Sequence, residues 1–218
     1  MTAIGVAAFA AALVSQAPAV PAPQAIPVAP AAPEGCFETL RKDGLALSSW
    51  PLRATKLAGG VVCEAPGGVS IRRGASGLRF APPARVSCAF GLRLARFEAV
   101  VQEVAKETLG SRVRALKQLG TYNCRRMAAY PDLVSEHSFA NAIDVASFTL
   151  RDGRTVVVER DWVRADRPAR TPAARFLRRL ARRLYDEKVF SVVLTPSYDE
   201  HHKNHLHLDG AAYTVDGT

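Results

Sequence analysis

Apolar residues recur at helical spacing over residues 93–109. Leu94, Phe97, Val100, Val101, Val104 and Ala105 share one face there, and Gly110 can end the helix. A second helical stripe runs over residues 172–185, with Phe176, Leu177, Leu180 and Leu184 facing inward, Thr171 suited to the N-cap and Pro172 to the first turn. Residues 113–120 read as a strand. Residues 142–150 alternate well enough for another, and a turn at Arg151-Asp152-Gly153-Arg154 predicts a return strand over 155–159. An apolar strand over 190–194 ends before Pro196. Before residue 90 the apolar runs are short and broken by Gly and Pro. Only residues 61–63 and 69–71 suggest edge strands there, with a turn at Gly67-Gly68. The pattern predicts an α+β fold, a small antiparallel or mixed sheet packed with two main helices.

The N-terminal end departs from this pattern. Residues 1–33 carry no charge, and the Ala-rich run 3–14 is too short to span a bilayer but fits a secretory signal, with a small-residue cleavage site at Ala17-Pro18-Ala19. No Lys or Arg precedes that run, so residues 1–17 read as a signal or simply as an apolar terminal segment. Residues 18–34 repeat Pro among Ala and Val, the composition of an extended linker, either a tether that holds a domain away from a membrane or translocon or plain low-complexity filler. The folded domain is expected over residues 35–218, a length suited to one core. Four scattered cysteines, Cys36, Cys63, Cys88 and Cys124, lack metal or redox spacing. After a signal they suggest two disulfides, paired by chain proximity as Cys36 with Cys63 and Cys88 with Cys124; in a reducing compartment they would be free thiols. Export to the periplasm or cell envelope is the expectation.

Charge adds a basic bias of +9. It could favour nucleic acid, an anionic membrane or an anionic wall polymer. Arg175, Arg178, Arg179, Arg182 and Arg183 share the polar side of the second helix, either as a solvated face or as a polymer-binding one. Nucleic-acid binding would call for aromatics among the basic residues, and aromatics are only 7% of the chain. No nucleic-acid partner is expected.

Histidine is confined to two short clusters. His137 lies in Ser135-Glu136-His137, seven residues before Asp144, and the other four of the five histidines lie in Glu200-His201-His202-Lys203-Asn204-His205-Leu206-His207. In a strand His205 and His207 would face one cavity. The spacing of His137 and Asp144 suits a loop that carries the histidine into the strand beginning near Ala142. A His, Asp, His set with an open position fits catalytic zinc better than structural zinc. The competing reading is a surface metal-scavenging tract, with Asp144 capping a turn.

These pieces resemble a known family. Tyr122-x-Cys124-Arg125, Ser135-Glu136-His137, Asn141-Ala142-Ile143-Asp144 and His202-x-x-His205-Leu206-His207-Leu208-Asp209 resemble the motifs of the bacterial extensin-like C-terminal domain family. More widely they are similar to zinc peptidases of bacterial wall peptides, including D-alanyl-D-alanine peptidases and penicillin-insensitive murein endopeptidases. The resemblance implies His137, Asp144 and His207 as zinc ligands, His205 and His202 as catalytic histidines beside the metal-bound water, and Arg125 as the residue that binds substrate. It implies a D-alanyl-D-alanine metallopeptidase type of fold and a Zn2+-dependent hydrolase of peptidoglycan peptide amides, of carboxypeptidase or endopeptidase action. The alternative is a zinc-containing, non-catalytic wall-binding domain of the same fold. Ala140 stands where many relatives have Gly, the family's late cysteines have no counterpart after Cys124, and His202 stands where some peptidases have Glu.

Overall fold

A computed structural model describes residues 28–218. The expectations for residues 1–17 and for 18–27 lie outside the described residues. The chain begins with helix α1 (Cys36–Lys42), then strands β1 (Ala46–Ser49), β2 (Thr55–Lys56), β3 (Val62–Cys63), β4 (Val69–Arg73) and β5 (Arg79–Val86). Helix α2 (Cys88–Leu109) leads to β6 (Val113–Gly120), a 3-10 turn (Glu136–Phe139), β7 (Ala142–Leu150) and β8 (Thr155–Val157). Next come the short helix α3 (Val158–Asp161), α4 (Pro172–Asp186), β9 (Val192–Leu194), a second 3-10 turn (Glu200–His202), β10 (Leu206–Asp209) and β11 (Val215–Gly217).

Among the described residues, nine strands form one mixed sheet in the order β1-β4-β5-β6-β7-β10-β9-β11, with β8 paired to β7. The β5–β6 and β9–β11 pairs are parallel and the others antiparallel. The α+β class and the two main helices are as expected, although the sheet is larger than expected.

Both main helices follow from local chemistry. Ser87 caps α2 by accepting from the Phe90 N–H, which starts the helix five residues earlier than the apolar stripe alone suggests. Gly110 ends it in the left-handed region at φ 68°, and its N–H reaches the Lys106 carbonyl. Thr171 caps α4 by accepting from the Ala174 N–H, with Pro172 in the first turn. Phe90 and Phe97 of α2 pack on Phe190, and Phe176 of α4 packs edge-on against Phe148 of β7 at 5.1 Å. All five rings are fully buried, each burial favouring the fold by about 1.5–3 kcal/mol.

The region before residue 87 is more ordered than its broken apolar runs suggest. Glu98 of α2 is buried and accepts from the backbone N–H of Ser76 and Leu78 and from the Ser76 hydroxyl, which pins the β4–β5 turn to the helix. A Cβ on Gly74 would collide with the Glu98 carboxylate and push it off these donors, so glycine there keeps the contact in place. The disulfides correct the pairing by proximity: Cys36 joins Cys88, and Cys63 joins Cys124. Packing of α1 on the start of α2 brings Cys36 to Cys88, and β3 lies against the loop after β6. The return strand also ends early, at Val157, because the Asp161 carboxylate accepts the Val157 N–H and the chain turns into α3. The strand expected over 190–194 begins only at Val192. At the edge of the Pro/Ala stretch, Ala29 and Ala32 pack against buried side chains of the domain.

Candidate metal centre

Strand register builds the centre. In the antiparallel β7–β10 pair Asp144 lies directly opposite His207, so both side chains leave the same face of the sheet. The 3-10 turn ahead of β7 supplies His137, held by buried Phe139 packed with Val61 and Val134. Ala140 closes that turn at φ 49°, in the left-handed region that glycine adopts more easily. Ser138 accepts from the Arg125 N–H and donates to the Arg125 carbonyl, so the turn carrying His137 also fixes the backbone of Arg125.

One donor atom from each of His137, Asp144 and His207 lies within 4.8 Å of the others, a triad able to hold a metal ion. His137 Nε2 is 3.2 Å from Asp144 Oδ2 and 3.3 Å from His207 Nδ1, and His207 Nδ1 is 2.9 Å from Asp144 Oδ1. A tetrahedral ion with bonds of about 2.0–2.1 Å separates its ligands by about 3.3 Å, so the donor set fits such an ion with little movement. The far nitrogen of His207, Nε2, meets the buried carboxylate of Asp209 at 3.0 Å, while Asp209 Oδ1 accepts the Ala211 N–H. That carboxylate fixes the ring and turns Nδ1 toward the triad.

Charge is concentrated here. Burial alone would raise the Asp144 carboxyl, but hydrogen bonds from His137 and His207 hold it well below the usual carboxylate range. Burial alone would lower His207, yet its bonds to Asp144 and Asp209 lift it to about 9. Burial pushes the Glu136 carboxyl up, opposed by a 2.6 Å hydrogen bond from Asn141.

Two further imidazoles flank the triad. His202 ends the second 3-10 turn, where Asp199 caps it, accepting from the His202 N–H and meeting Nδ1 at 2.6 Å. His202 Nε2 is thereby left with its lone pair. His205 bonds Asn204 Oδ1 through Nδ1 at 2.8 Å, and its Nε2 lies 3.4 Å from Asp144 Oδ1. Burial lowers the pKa of both rings, which favours their neutral form.

These groups open on a cavity of about 630 Å³, lined by Asp144, His202, His205, His207 and Arg125, with His137 buried beneath. The lining also includes Met127, Leu133, Tyr130, Tyr213 and Tyr198, whose ring meets that of His202 edge-on at 5.9 Å. All six site residues expected from the sequence are therefore brought to one place. Asp199 was not singled out, and Asp209 was named only as the end of the second histidine motif, with no role. Their spacings, three residues before His202 and two after His207, are the signals that could have marked them.

Two disulfides fit the expectation of an oxidising compartment, and no helix among the described residues is long and apolar enough to cross a membrane. Comparison with curated proteins and with solved structures gives no match in either case. The sequence profile described as "Extensin-like protein C-terminus" matches residues 34–217, which include every residue of the triad and its flanking histidines. The chain therefore belongs to the extensin-like C-terminus family.

Proposed function

We propose that this protein is a zinc-dependent hydrolase of peptidoglycan peptide amide bonds, a D-alanyl-D-alanine metallopeptidase type of fold working in the cell envelope. The convergence of a two-histidine, one-carboxylate triad with two further imidazoles and an arginine at one cavity carries this reading. Nitrogen and oxygen donors in this number suit zinc with a position left open. His137, Asp144 and His207 would hold the ion, which when bound acidifies water and polarises a carbonyl.

The chain's own residues account for the rest. Arg125 offers a planar fork to a carbonyl or carboxylate of the wall peptide. His202 accepts a proton through Nε2 as water oxygen bonds to the amide carbon, and Asp199 stabilises the imidazolium that results. His205, beside Asp144, shares in stabilising the tetrahedral intermediate. The carbon–nitrogen bond then breaks, and the proton held by His202 passes to the leaving amine.

The test is digestion of purified peptidoglycan by the full chain, with released peptides identified by mass spectrometry. Release that stops with chelator and returns with added zinc is the expected result. Binding to the polymer with no release at any zinc concentration would instead make the protein a wall-binding domain.

A further inference from the structure

The arginines of α4 fall into two groups by their partners. Toward its C-terminal end, Arg179 pairs with Glu107, Arg182 with Asp186 and Asp216, and Arg183 with Glu103 and Glu187, at 2.5–3.0 Å. Each such pair adds little stability, but together they cancel the charge of that half of the face. Residues 162–178 differ. They hold five arginines, Arg164, Arg167, Arg170, Arg175 and Arg178, against one carboxylate, Asp166. Among the described residues none of the five is in an ion pair.

This cluster is shaped as well as charged. Arg164, Arg167 and Arg170 are exposed and line an open surface cavity of about 460 Å³ with Trp162 in its wall. Trp162 packs against the main core and donates from Nε1 to Ser197 Oγ at 2.9 Å, so that wall is fixed. Arg175 and Arg178 donate to the carbonyls of Arg170 and Arg167, which ties the cavity's loop to the helix. Arg170 directly precedes the Thr171 cap, so the positive end of the α4 dipole adds to the same field.

We infer that this cavity is a phosphoryl-binding site, separate from the metal centre. A carboxylate brings two oxygens and a single charge, whereas a phosphoryl group brings three acceptor oxygens and up to two charges, the better match to several guanidinium forks together. The group belongs either to a small phosphorylated compound or to the headgroup of an anionic phospholipid, and the two are separable by experiment.

The chain has two tryptophans, Trp50 and Trp162, so full-length protein carrying Trp50→Phe reports on the cavity through Trp162 fluorescence. Titration with inorganic phosphate should give a saturable change that sodium chloride at matched ionic strength does not. In the Arg167→Gln/Arg170→Gln double variant, phosphate affinity should fall at least about tenfold. Arg179→Gln, which removes an ion-paired arginine, should leave it unchanged. Cosedimentation with vesicles of phosphatidylcholine, with and without phosphatidylglycerol, identifies the source. Selective binding to the anionic vesicles that is lost in the double variant assigns a lipid headgroup, and phosphate binding without vesicle binding assigns a small compound. The thermal midpoint of each variant checks that it is folded. If folded double variant matches wild type toward both phosphate and vesicles, or if chloride reproduces the phosphate response, the site does not exist.

Discussion

Residues 36–86 and residues 120–217 contribute to one sheet but are fixed by different means. The first region has no histidine, and each disulfide starts in it, tying Cys36 to the start of α2 and Cys63 to the loop after β6. The second holds all five histidines and is ordered by strand register, buried carboxylates and caps. Covalent cross-links secure the part with weak local structure, while the metal centre is positioned by hydrogen bonds that can respond to an ion and to pH. Stability and metal binding should therefore be separable by mutation.

The largest effect expected falls on the second region alone. Asp144→Ala should lose most of its metal and reduce peptide release to background, while both disulfides remain; elemental analysis and thiol titration check this. In the first region, Cys36→Ser/Cys88→Ser opens a cross-link between residues 52 apart, and should lower unfolding free energy by roughly 4 kcal/mol in urea while leaving metal stoichiometry intact. Cys63→Ser/Cys124→Ser sharpens the contrast, because Cys124 adjoins Arg125. A similar loss of stability should come with a raised KM, and an unchanged KM would mean that the Ser138 contacts alone hold Arg125. Asp209→Asn should weaken metal affinity about 10- to 100-fold without unfolding the protein, read by competition with a chromogenic chelator.

The smallest and most gradual effect is with pH. Folding raises His207 from its ordinary value near 6.5 to about 9. The metal-free protein should thus keep that contribution in full below pH 6.5 and lose it as pH rises through about 9, seen as a falling urea midpoint. Metal affinity should move the other way, rising with pH as the proton on His207 ceases to compete.

Much of the chain from α2 onward was legible in the sequence because its signals are local. β6 and β7 have the predicted bounds, Thr171 and Pro172 mark the start of α4, and Gly110 ends α2. His137 comes from a turn feeding a strand at Ala142, as its spacing from Asp144 suggests. The first region was far less legible because its order depends on distant partners. β5 contains Pro82 and Pro83, which argue against a strand, yet it pairs with β4 and with β6 on either side. The cysteine pairing follows from how α1 and β3 dock, which proximity along the chain does not reveal. Within the site, the metal triad was legible from residue type and motif. The supporting carboxylates Asp199 and Asp209 were not, because their roles depend on which ring nitrogen each one faces.

The most direct test of the central claim is elemental analysis of purified protein, wild type beside His207→Ala, after equilibration with a slight excess of zinc and removal of the unbound ion. About one zinc per chain in wild type, largely lost in the variant, is the predicted result. A wild type that retains no zinc, or a folded His207→Ala variant that retains as much as wild type, would contradict the assignment of His137, Asp144 and His207 as the metal-binding triad.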